Sequence, residues 1–333
     1  MIKNIELLTA DIATNQPSSE YRTVLYRNLC NNPAITFDFE RMLFNEPQHL
    51  ASQQGGDYFT FHLQNLSNNT VQARFSCFVS PSGEALSPFR ATFGGIEWAN
   101  QLSKESLHHF VQKILNWGRR NAIKTIRITQ PPSAFNELGG EILQNILTEH
   151  GFRREVTELN QHLDLRNDDC FLRFHPSEKR RFRKCVRAGF EFKELSDADL
   201  PAYYELLVEA RQRRNYPLSL SLAQLQALFQ QFPQHFRLFG VFDGHRLIAG
   251  CVGVAVSERI LYYFLPFYDE TYRNFSPSVL LVEKLGGWAK ERHFECLDLG
   301  ISTVGGSLNA GLHTFKLHLG AIDSEKIVFL AEI

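Results

Sequence analysis

The chain has 333 residues, of which 44% are hydrophobic, and this length is enough for two globular domains. Its 35 Lys and Arg residues balance 36 Asp and Glu residues, so no global charge commits it to nucleic acid or to a membrane surface. Any anion site must therefore be local. No stretch approaches the roughly 20 apolar residues of a membrane span, and the first residues lack the apolar core of a signal peptide. We expect a cytoplasmic protein without membrane insertion.

The cysteines and histidines do not predict a metal site. Six cysteines are scattered without Cys-x-x-Cys spacing and mostly in apolar surroundings, as reduced core residues are. The histidines, including the pair His108-His109, show no His-x-x-x-His spacing. We therefore expect neither a bound metal nor a disulfide framework.

The first half of the chain predicts consecutive strands followed by a helical crossover. Hydrophobic periodicity and turn residues predict, in order, a helix over 18–30, strands over 58–63 and 71–79, a long strand ending at Phe93-Gly94-Gly95, a helix over 104–120, a strand over 125–129, a helix over 135–149 and a strand over 159–165. Strands joined by hairpins and then by a helix predict a mixed sheet with helices on its faces.

The second half repeats this plan. The same signals predict a strand over 190–194, helices over 198–214 and 222–229, strands over 238–242 and 247–256 joined at Asp243-Gly244, a strand over 261–267, a helix within 272–287, a strand over 296–302 and a helix over 311–320. A stretch without clear periodicity, 166–175, predicts the boundary between two domains of similar plan.

A basic helix follows this boundary. Ser177 is the expected N-cap and Gly189 the expected end, with six Lys and Arg residues between them. Like charges one turn apart weaken a helix by about 0.2–0.5 kcal/mol per pair, so the run is unfavourable unless an anion compensates it. It is either a solvated face or a phosphate-binding stripe, and in the second case Arg180, Lys184 and Arg187 are the contacts.

A second anion site is predicted where the strand over 261–267 leads into a helix. Ser276 is the expected N-cap and Pro277 the first helical residue. The amides of Ser278 and its neighbours, with the helix dipole, can hold a phosphate, although Ser-Pro-Ser also starts ordinary helices. Arg273, three residues before the cap, adds further donors.

These residues resemble the GNAT acyltransferase superfamily. Its donor loop follows the fourth strand as Gln/Arg-x-x-Gly-x-Gly/Ala, and Arg273 to Ser278 match that spacing with serine at both glycine positions. The Fem-type branch and its FemAB-like relatives are more similar, because a Ser-Pro helix, a strand and a Gly-Leu-x-x-Phe-Lys-x-x-x-Gly helix follow one another there. The last motif is matched by Gly311, Leu312, Phe315, Lys316 and Gly320.

The resemblance implies an α/β fold of two tandem GNAT-like domains, each a mixed sheet flanked by helices. We expect an N-terminal domain over 1–165 and a C-terminal domain over 166–333 that carries the donor loop and the active site. The N-terminal copy has no Arg-x-x-Gly-like loop before the helix at Lys104. It is expected to be donor-incompetent and to act as a wall of the acceptor site.

The resemblance also implies the candidate catalytic residues. Lys316 corresponds to the family's Phe-Lys lysine, which stabilises charge on the transferring group, and otherwise it is a helix-surface lysine. Asp298 can orient an amine or act as base, or it is an ordinary strand-end residue. Tyr262 and Tyr263 lie on opposite faces of one strand, so at most one faces the cleft. The sequence does not decide between them, and Tyr263 is taken as the third candidate.

The resemblance predicts an N-acyltransferase. The donor is acyl-CoA or aminoacyl-tRNA, and the acceptor is an amine of an anionic small molecule or of a cell-wall precursor. Arg211 and Tyr216, which resemble part of the acceptor-side helix of the family, join the substrate-binding candidates. Serine in place of both loop glycines argues against ordinary coenzyme A binding. The alternative is a non-catalytic binding protein that retains the fold.

Overall fold

The computed structural model describes residues 20–30, 32, 34–136, 140–167, 169–213 and 215–333. The chain forms two compact units. Unit 1 comprises the residues up to Glu158 together with Glu325–Ile333, and unit 2 comprises Leu159–Ser324. Both divisions fall inside strands, Arg153–Asp164 and Ile322–Glu332.

The described residues of unit 1 form seven strands and three helices before β8. Its elements are β1 (Tyr21–Arg27), β2 (Thr36–Phe37), α1 (Pro47–Ser52), β3 (Tyr58–Asn65), β4 (Thr70–Val79), β5 (Glu84–Ser87), β6 (Ile96–Trp98), α2 (Lys104–Arg120), β7 (Thr125–Thr129) and α3 (Gly140–Glu149). The start of β8 (Arg153–Asp164) and most of β16 (Ile322–Glu332) also belong to this unit.

The sheet of unit 1 runs in the order β1-β3-β4-β5-β7-β16. The pairs are antiparallel except β5 with β7, which is parallel, and the short β2 also lies parallel to β4. Ser103 caps α2 by accepting from the Ser106 amide. Helix α2 then buries Phe110 and Ile114 against sheet residues such as Phe75 and Phe329.

Unit 2 contains the predicted donor and active-site segments. Its elements are the end of β8, α4 (Pro176–Arg187), β9 (Glu191–Leu195), α5 (Leu200–Gln212), α6 (Leu222–Gln231), β10 (Phe236–Asp243), β11 (Arg246–Ala255), β12 (Ile260–Tyr268), α7 (Pro277–Glu291), β13 (Cys296–Ile301), β14 (Thr303–Val304), β15 (Ser307–Leu308), α8 (Ala310–His318) and the first residues of β16.

The sheet of unit 2 runs in the order β8-β13-β12-β11-β10-β9. Its pairs are antiparallel except β12 with β13, the two strands joined by the crossover helix α7. Helix α7 buries Val279, Leu281 and Leu285 in a core shared with Phe239 and Leu297. Each unit is thus a mixed sheet with helices packed on it, which confirms the predicted fold class.

Two of the predicted elements in unit 1 were wrong. Where a helix was predicted over 18–30, the described residues form β1, which pairs with β3 from Tyr21–Asn65 to Arg27–Phe59; residues 18 and 19 lie outside the described ones. Aromatic and β-branched residues in β1 suit an edge strand, and pairing overrides the helical spacing. The long strand predicted to end at Gly95 stops at Ser87, before Pro88, which has no amide to donate.

Two further differences concern unit 2. The N-cap of α4 is His175 and not Ser177, because the His175 Nδ1 accepts from the Ser177 amide, 3.3 Å away. The strand β16, which begins in unit 2 and ends in unit 1, was not predicted.

Candidate functional site

The central strands of unit 2 part at a defined point. The parallel pairing of β12 with β13 runs from Ile260–Cys296 to Tyr262–Asp298, and both strands continue beyond that last pair. Gly300 follows with a φ of 73°, in the left-handed region, and a Cβ there would lie 3.3 Å from the Tyr262 ring. The backbone conformation favours glycine at this position, and the neighbouring ring leaves little room for a side chain.

Lys316 lies at this point. It projects from α8, is only 5% exposed, and its Nζ donates to the carbonyl oxygens of Gly300 at 2.7 Å and Ile301 at 2.9 Å. Burial lowers the pKa of Lys316 to about 8, and the negative charge of Asp298 partly opposes that shift. A lysine that sequence reasoning could only place on a helix is thus a buried, partly desolvated cation.

Asp298 is the anion beside it. The side chain is 1% exposed, and its Oδ1 accepts from the Asn160 Nδ2 at 2.8 Å and from the Gly300 amide at 3.0 Å. These bonds fix the carboxylate where the pairing of β12 with β13 ends, close enough for its charge to raise the pKa of Lys316. Sequence analysis identified Asp298 but not Asn160.

Other polar residues near the strand ends were also missed. Gln161 on β8 is fully buried; its Oε1 accepts from the Ser302 hydroxyl at 2.6 Å, and its Nε2 donates to the His313 carbonyl at 3.3 Å. The available signal was the run Asn160-Gln161-His162 inside a strand with buried apolar neighbours. Buried polar side chains in a strand need hydrogen-bond partners, so such a run indicates a buried network of polar groups.

Tyr262 and Tyr263 of β12 have different environments. The Tyr263 ring belongs to the hydrophobic core of unit 2, where burial raises the pKa of its hydroxyl well above 10. Tyr262 is half-buried beside Gly300. Of the two, Tyr262 therefore lies at the Lys316 site, whereas the predicted candidate Tyr263 packs in the core.

The donor segment forms the start of α7. Ser276 is the N-cap, as predicted, but it adopts φ 56° and ψ 61°, the left-handed conformation that a glycine takes most easily. Its amide is already bonded to the carbonyls of Tyr272 and Arg273, and Pro277 has no amide hydrogen. Among the described residues the Ser278 amide has no hydrogen-bond partner. The start of α7 therefore offers fewer unpaired amides to an anion than the sequence predicted.

Arg273 and the basic helix α4 flank this loop. The Arg273 side chain is 78% exposed, and its closest carboxylate oxygen, from Glu270, is 3.7 Å away. Lys184 does not point freely into solvent: its Nζ donates to the Asn274 carbonyl at 2.9 Å and lies over the Phe275 ring. Helix α4 therefore holds the donor loop directly.

The remaining members of the predicted stripe are free. Arg180 and Arg187 are exposed and have no ion-pair partner within the described part of the chain. Of the predicted stripe, Lys184 therefore supports the loop while Arg180 and Arg187 stay available to an anion.

The acceptor-side candidates connect to the Lys316 helix. The Tyr216 hydroxyl accepts from the Asn309 Nδ2 at 3.0 Å, and Asn309 is the N-cap of α8. The Arg211 guanidinium lies 5.9 Å from the centre of the Tyr216 ring. Arg211 and Tyr216 thus border the start of the helix that carries Lys316.

The residues that the structure describes contain neither a metal site nor a membrane-spanning helix. No group of three or more His, Cys, Asp and Glu side chains is arranged to hold a metal ion. Across the same residues, each helix falls short of the length and apolar character needed to cross a bilayer.

Known proteins share this architecture. Residues 176–316 match the family model described as an acetyltransferase (GNAT) domain. FemX has a similar structure, with a TM-score of 0.69 and 12% identity over 88% of this chain and 93% of its own. A conserved protein of unknown function from Bacteroides thetaiotaomicron gives 0.57 and 11% over 90% and 95%, and L-PGS from Bacillus licheniformis gives 0.53 and 12% over 78% and 81%. No curated protein matches the sequence.

Residues 176–316, which include the donor segment, Asp298 and Lys316, match the GNAT acetyltransferase domain, and the mixed sheet of unit 2 agrees with that class of acyltransferase. The resemblance to the Fem-type branch is confirmed at the level of fold by FemX.

Proposed function

We propose that this protein is an N-acyltransferase that moves an acyl or aminoacyl group from an activated donor to an amine, with its active site beside Lys316. The observation that carries the proposal is the buried ammonium of Lys316, next to the Asp298 carboxylate where β12 and β13 part. Residues with strongly shifted pKa values beside an opposite charge are frequent at functional sites.

Acyl transfer to an amine passes through a tetrahedral intermediate with a negatively charged oxygen. A lysine ammonium has three donors, and Lys316 uses two of them on the carbonyls of Gly300 and Ile301. We assign the third donor to that oxyanion. A pKa near 8 keeps most of the lysine protonated at neutral pH, so the charge is present when it is needed.

Asp298 and Tyr262 complete this proposal. The Asp298 carboxylate, fixed by Asn160, orients the amine or accepts its proton. Tyr262 takes the place of the predicted candidate Tyr263, because Tyr262 lies beside Gly300 and Tyr263 packs in the core.

The donor is proposed to bind at the start of α7. We assign Arg273, Ser276, Pro277 and the Ser278 amide to the binding of a phosphate, which both acyl-CoA and aminoacyl-tRNA carry. The left-handed conformation of Ser276 supports this assignment, since serine there keeps the backbone shape of a glycine. The acetyltransferase family match favours acyl-CoA as the donor, and the Fem-type resemblance favours aminoacyl-tRNA.

The acceptor is proposed to be an anionic small molecule or a cell-wall precursor with a free amine. Arg180 and Arg187 are exposed cations on α4, the helix whose Lys184 contacts the donor loop, and Arg211 with Tyr216 borders α8. Unit 1 is proposed to be donor-incompetent.

One observation favours the alternative, a non-catalytic binding protein. The Lys316 ammonium is held by two backbone carbonyls, an arrangement that also suits a purely structural lysine. Such a protein would bind its ligand but would give no product.

The test uses purified full-length protein with three ligand classes: acetyl-CoA, aminoacyl-tRNA and a nucleotide-linked cell-wall precursor. Binding is measured for each one, and acylated product is then sought by mass spectrometry with the donor and acceptor together. Product that disappears with Lys316→Ala supports the proposal. Binding without product in the native protein would favour the alternative.

A further inference from the structure

The helix that carries Lys316 also carries a histidine that the proposed function does not use. His313 lies between Asn309, the N-cap of α8, and Lys316, and it occupies the first open position of the Gly-Leu-x-x-Phe-Lys motif. Residues three positions apart are neighbours on a helix surface, so His313 is adjacent to Lys316 on α8. The Tyr216 hydroxyl accepts from Asn309 at the start of this helix. His313 therefore lies along α8 between the proposed acceptor side and Lys316.

A chain of hydrogen bonds connects His313 to the strand end that holds the Lys316 ammonium. The Gln161 Nε2 donates to the His313 carbonyl oxygen at 3.3 Å, and the Gln161 Oε1 accepts from the Ser302 hydroxyl at 2.6 Å. Ser302 directly follows Ile301, whose carbonyl oxygen accepts from Lys316. Gln161 and Ser302 are both buried, so these bonds hold α8 at His313 against the segment that binds Lys316.

Asp323, at the start of β16, orients the His313 ring. The Nε2 atom of His313 lies 3.0 Å from one carboxylate oxygen of Asp323 and 3.2 Å from the other. A carboxylate only accepts hydrogen bonds, so the neutral ring carries its hydrogen on Nε2 and keeps a lone pair on Nδ1. Within the described part of the chain Nδ1 has no hydrogen-bond partner, and the side chain is 20% exposed. His313 is thus an oriented imidazole with an unused proton-accepting nitrogen.

Asp298 is less suited to accept a proton during the reaction. Its negative charge raises the pKa of Lys316 and so favours the ammonium form of that lysine. If Asp298 took the proton of the amine, this support would be lost at the stage when the ammonium has to stabilise the oxyanion. The Asp298 Oδ1 also accepts hydrogen bonds from Asn160 and from the Gly300 amide. Asp298 therefore serves better as a permanent anion beside Lys316.

We propose that His313, oriented by Asp323, is the general base that takes the proton of the acceptor amine. The inference rests on the proposed acyl transfer and leaves Asp298 with the orienting role alone. As the amine nitrogen bonds to the carbonyl carbon of the donor, the carbonyl electrons move to the oxygen and the His313 Nδ1 takes one N–H proton.

The same histidine then returns the proton to the leaving group. When the tetrahedral intermediate collapses, the bond from its carbon to the sulfur of coenzyme A, or to the ester oxygen of an aminoacyl-tRNA, breaks. The leaving group receives the proton from His313 and departs as a thiol or a hydroxyl. The ring is thereby neutral again for the next turnover.

The first experiment tests the arrangement without any substrate. Long-range ¹⁵N–¹H NMR correlations of the full-length protein at pH 8 show which ring nitrogen of each histidine carries hydrogen. The spectrum of His313→Ala identifies the signals of His313. We expect hydrogen on Nε2, as the contact with Asp323 requires. Hydrogen on Nδ1 in the native protein would overturn the proposal, because that nitrogen could then not accept a proton.

The second experiment measures turnover against pH, with whichever of acetyl-CoA and aminoacyl-tRNA gives product in the test of the proposed function. His313→Ala should lower kcat by about a hundredfold or more, with donor affinity unchanged, and should flatten the fall of native kcat toward low pH. Free imidazole should restore part of this turnover, since it supplies a base but cannot replace a lost structural contact.

His318→Ala is the matched control. It removes an imidazole from the same helix, but His318 stacks on His175 and lies 3.7 Å from the Glu178 carboxylate, with no contact to Lys316 among the described residues. This variant should keep the native kcat and its pH dependence, and imidazole should not change either. His313→Gln, whose amide can still donate to Asp323, should lose as much turnover as His313→Ala, and it replaces that variant if His313→Ala does not fold.

Two results separate this inference from the proposed function. A native kcat in His313→Gln, or a loss in His313→Ala that imidazole does not restore, would overturn the role of His313 while the product of the native protein still supports acyl transfer. If the native protein gives no product with either donor, the proposed function fails and the role of His313 fails with it.

Discussion

The buried ammonium of Lys316 should give the protein a pH-dependent stability that one substitution removes. Its pKa is about 8 in the folded chain against an ordinary value of 10.5, a difference caused mainly by burial. Since one pKa unit corresponds to about 1.4 kcal/mol, the shift amounts to about 3 kcal/mol. That free energy is the cost of holding the protonated lysine in the folded state.

The sign follows from which state binds the proton more tightly. Between pH 8 and pH 10.5 the unfolded chain keeps the Lys316 proton while the folded chain releases it, so stability rises with pH across this window. Below pH 8 both states are protonated and the whole cost is present. From pH 7 to pH 10 the native protein should therefore gain about 2–3 kcal/mol relative to a variant without this lysine.

The assay compares urea unfolding of the native protein and of Lys316→Met at pH 7, 8, 9 and 10. Other titrating groups cancel in the difference between the two proteins, and Lys193→Met, an exposed lysine of the same unit, controls for the loss of one positive charge. If the unfolding free energy of the native protein stays constant or falls relative to that of Lys316→Met between pH 7 and pH 10, the claim that Lys316 is a buried cation is refuted.

Three further predictions concern the donor site, the basic helix and the core of unit 1. Lys316→Ala should lower kcat with little change in donor affinity, whereas Arg273→Ala should weaken donor binding by about 1.5–3 kcal/mol. Steady-state kinetics with the identified donor separates the two effects, and unchanged turnover in the Lys316 variant would move the chemistry to Asp298 or to water. The double variant Arg180→Glu, Arg187→Glu should bind anions more weakly than the native protein, with an unchanged melting temperature. Binding is measured at two salt concentrations, and an affinity that changes neither with the substitutions nor with salt would show that the stripe is only a solvated face. Arg74→Met should destabilise unit 1 by about 3–5 kcal/mol in urea unfolding, because it leaves Glu97 buried without its partner, while Arg41→Met, which removes a surface pair, should change stability by at most about 1 kcal/mol.

The sequence by itself determined the elements whose signals are local. Helix α2 begins and ends at the predicted residues because its cap, its period and its last turn all lie within one segment. The same holds for β7 and for Ser276-Pro277 at the start of α7. The Phe-Lys motif in α8 and the basic run in α4 were likewise visible in short stretches, and the motif carried the resemblance to the Fem-type branch.

Features that depend on contacts between residues far apart in the sequence were decided only by the tertiary structure. The pairing of β1 with β3, residues 21–27 with 59–65, turned a predicted helix into a strand. Asp298 is fixed by Asn160, 138 positions earlier in the chain, and no periodicity connects two such residues. The burial of Lys316 and the choice between Tyr262 and Tyr263 depend on where two strands part. Local spacing fixes the face on which a side chain lies, but only the packed neighbours determine whether that face meets solvent, core or a reacting group.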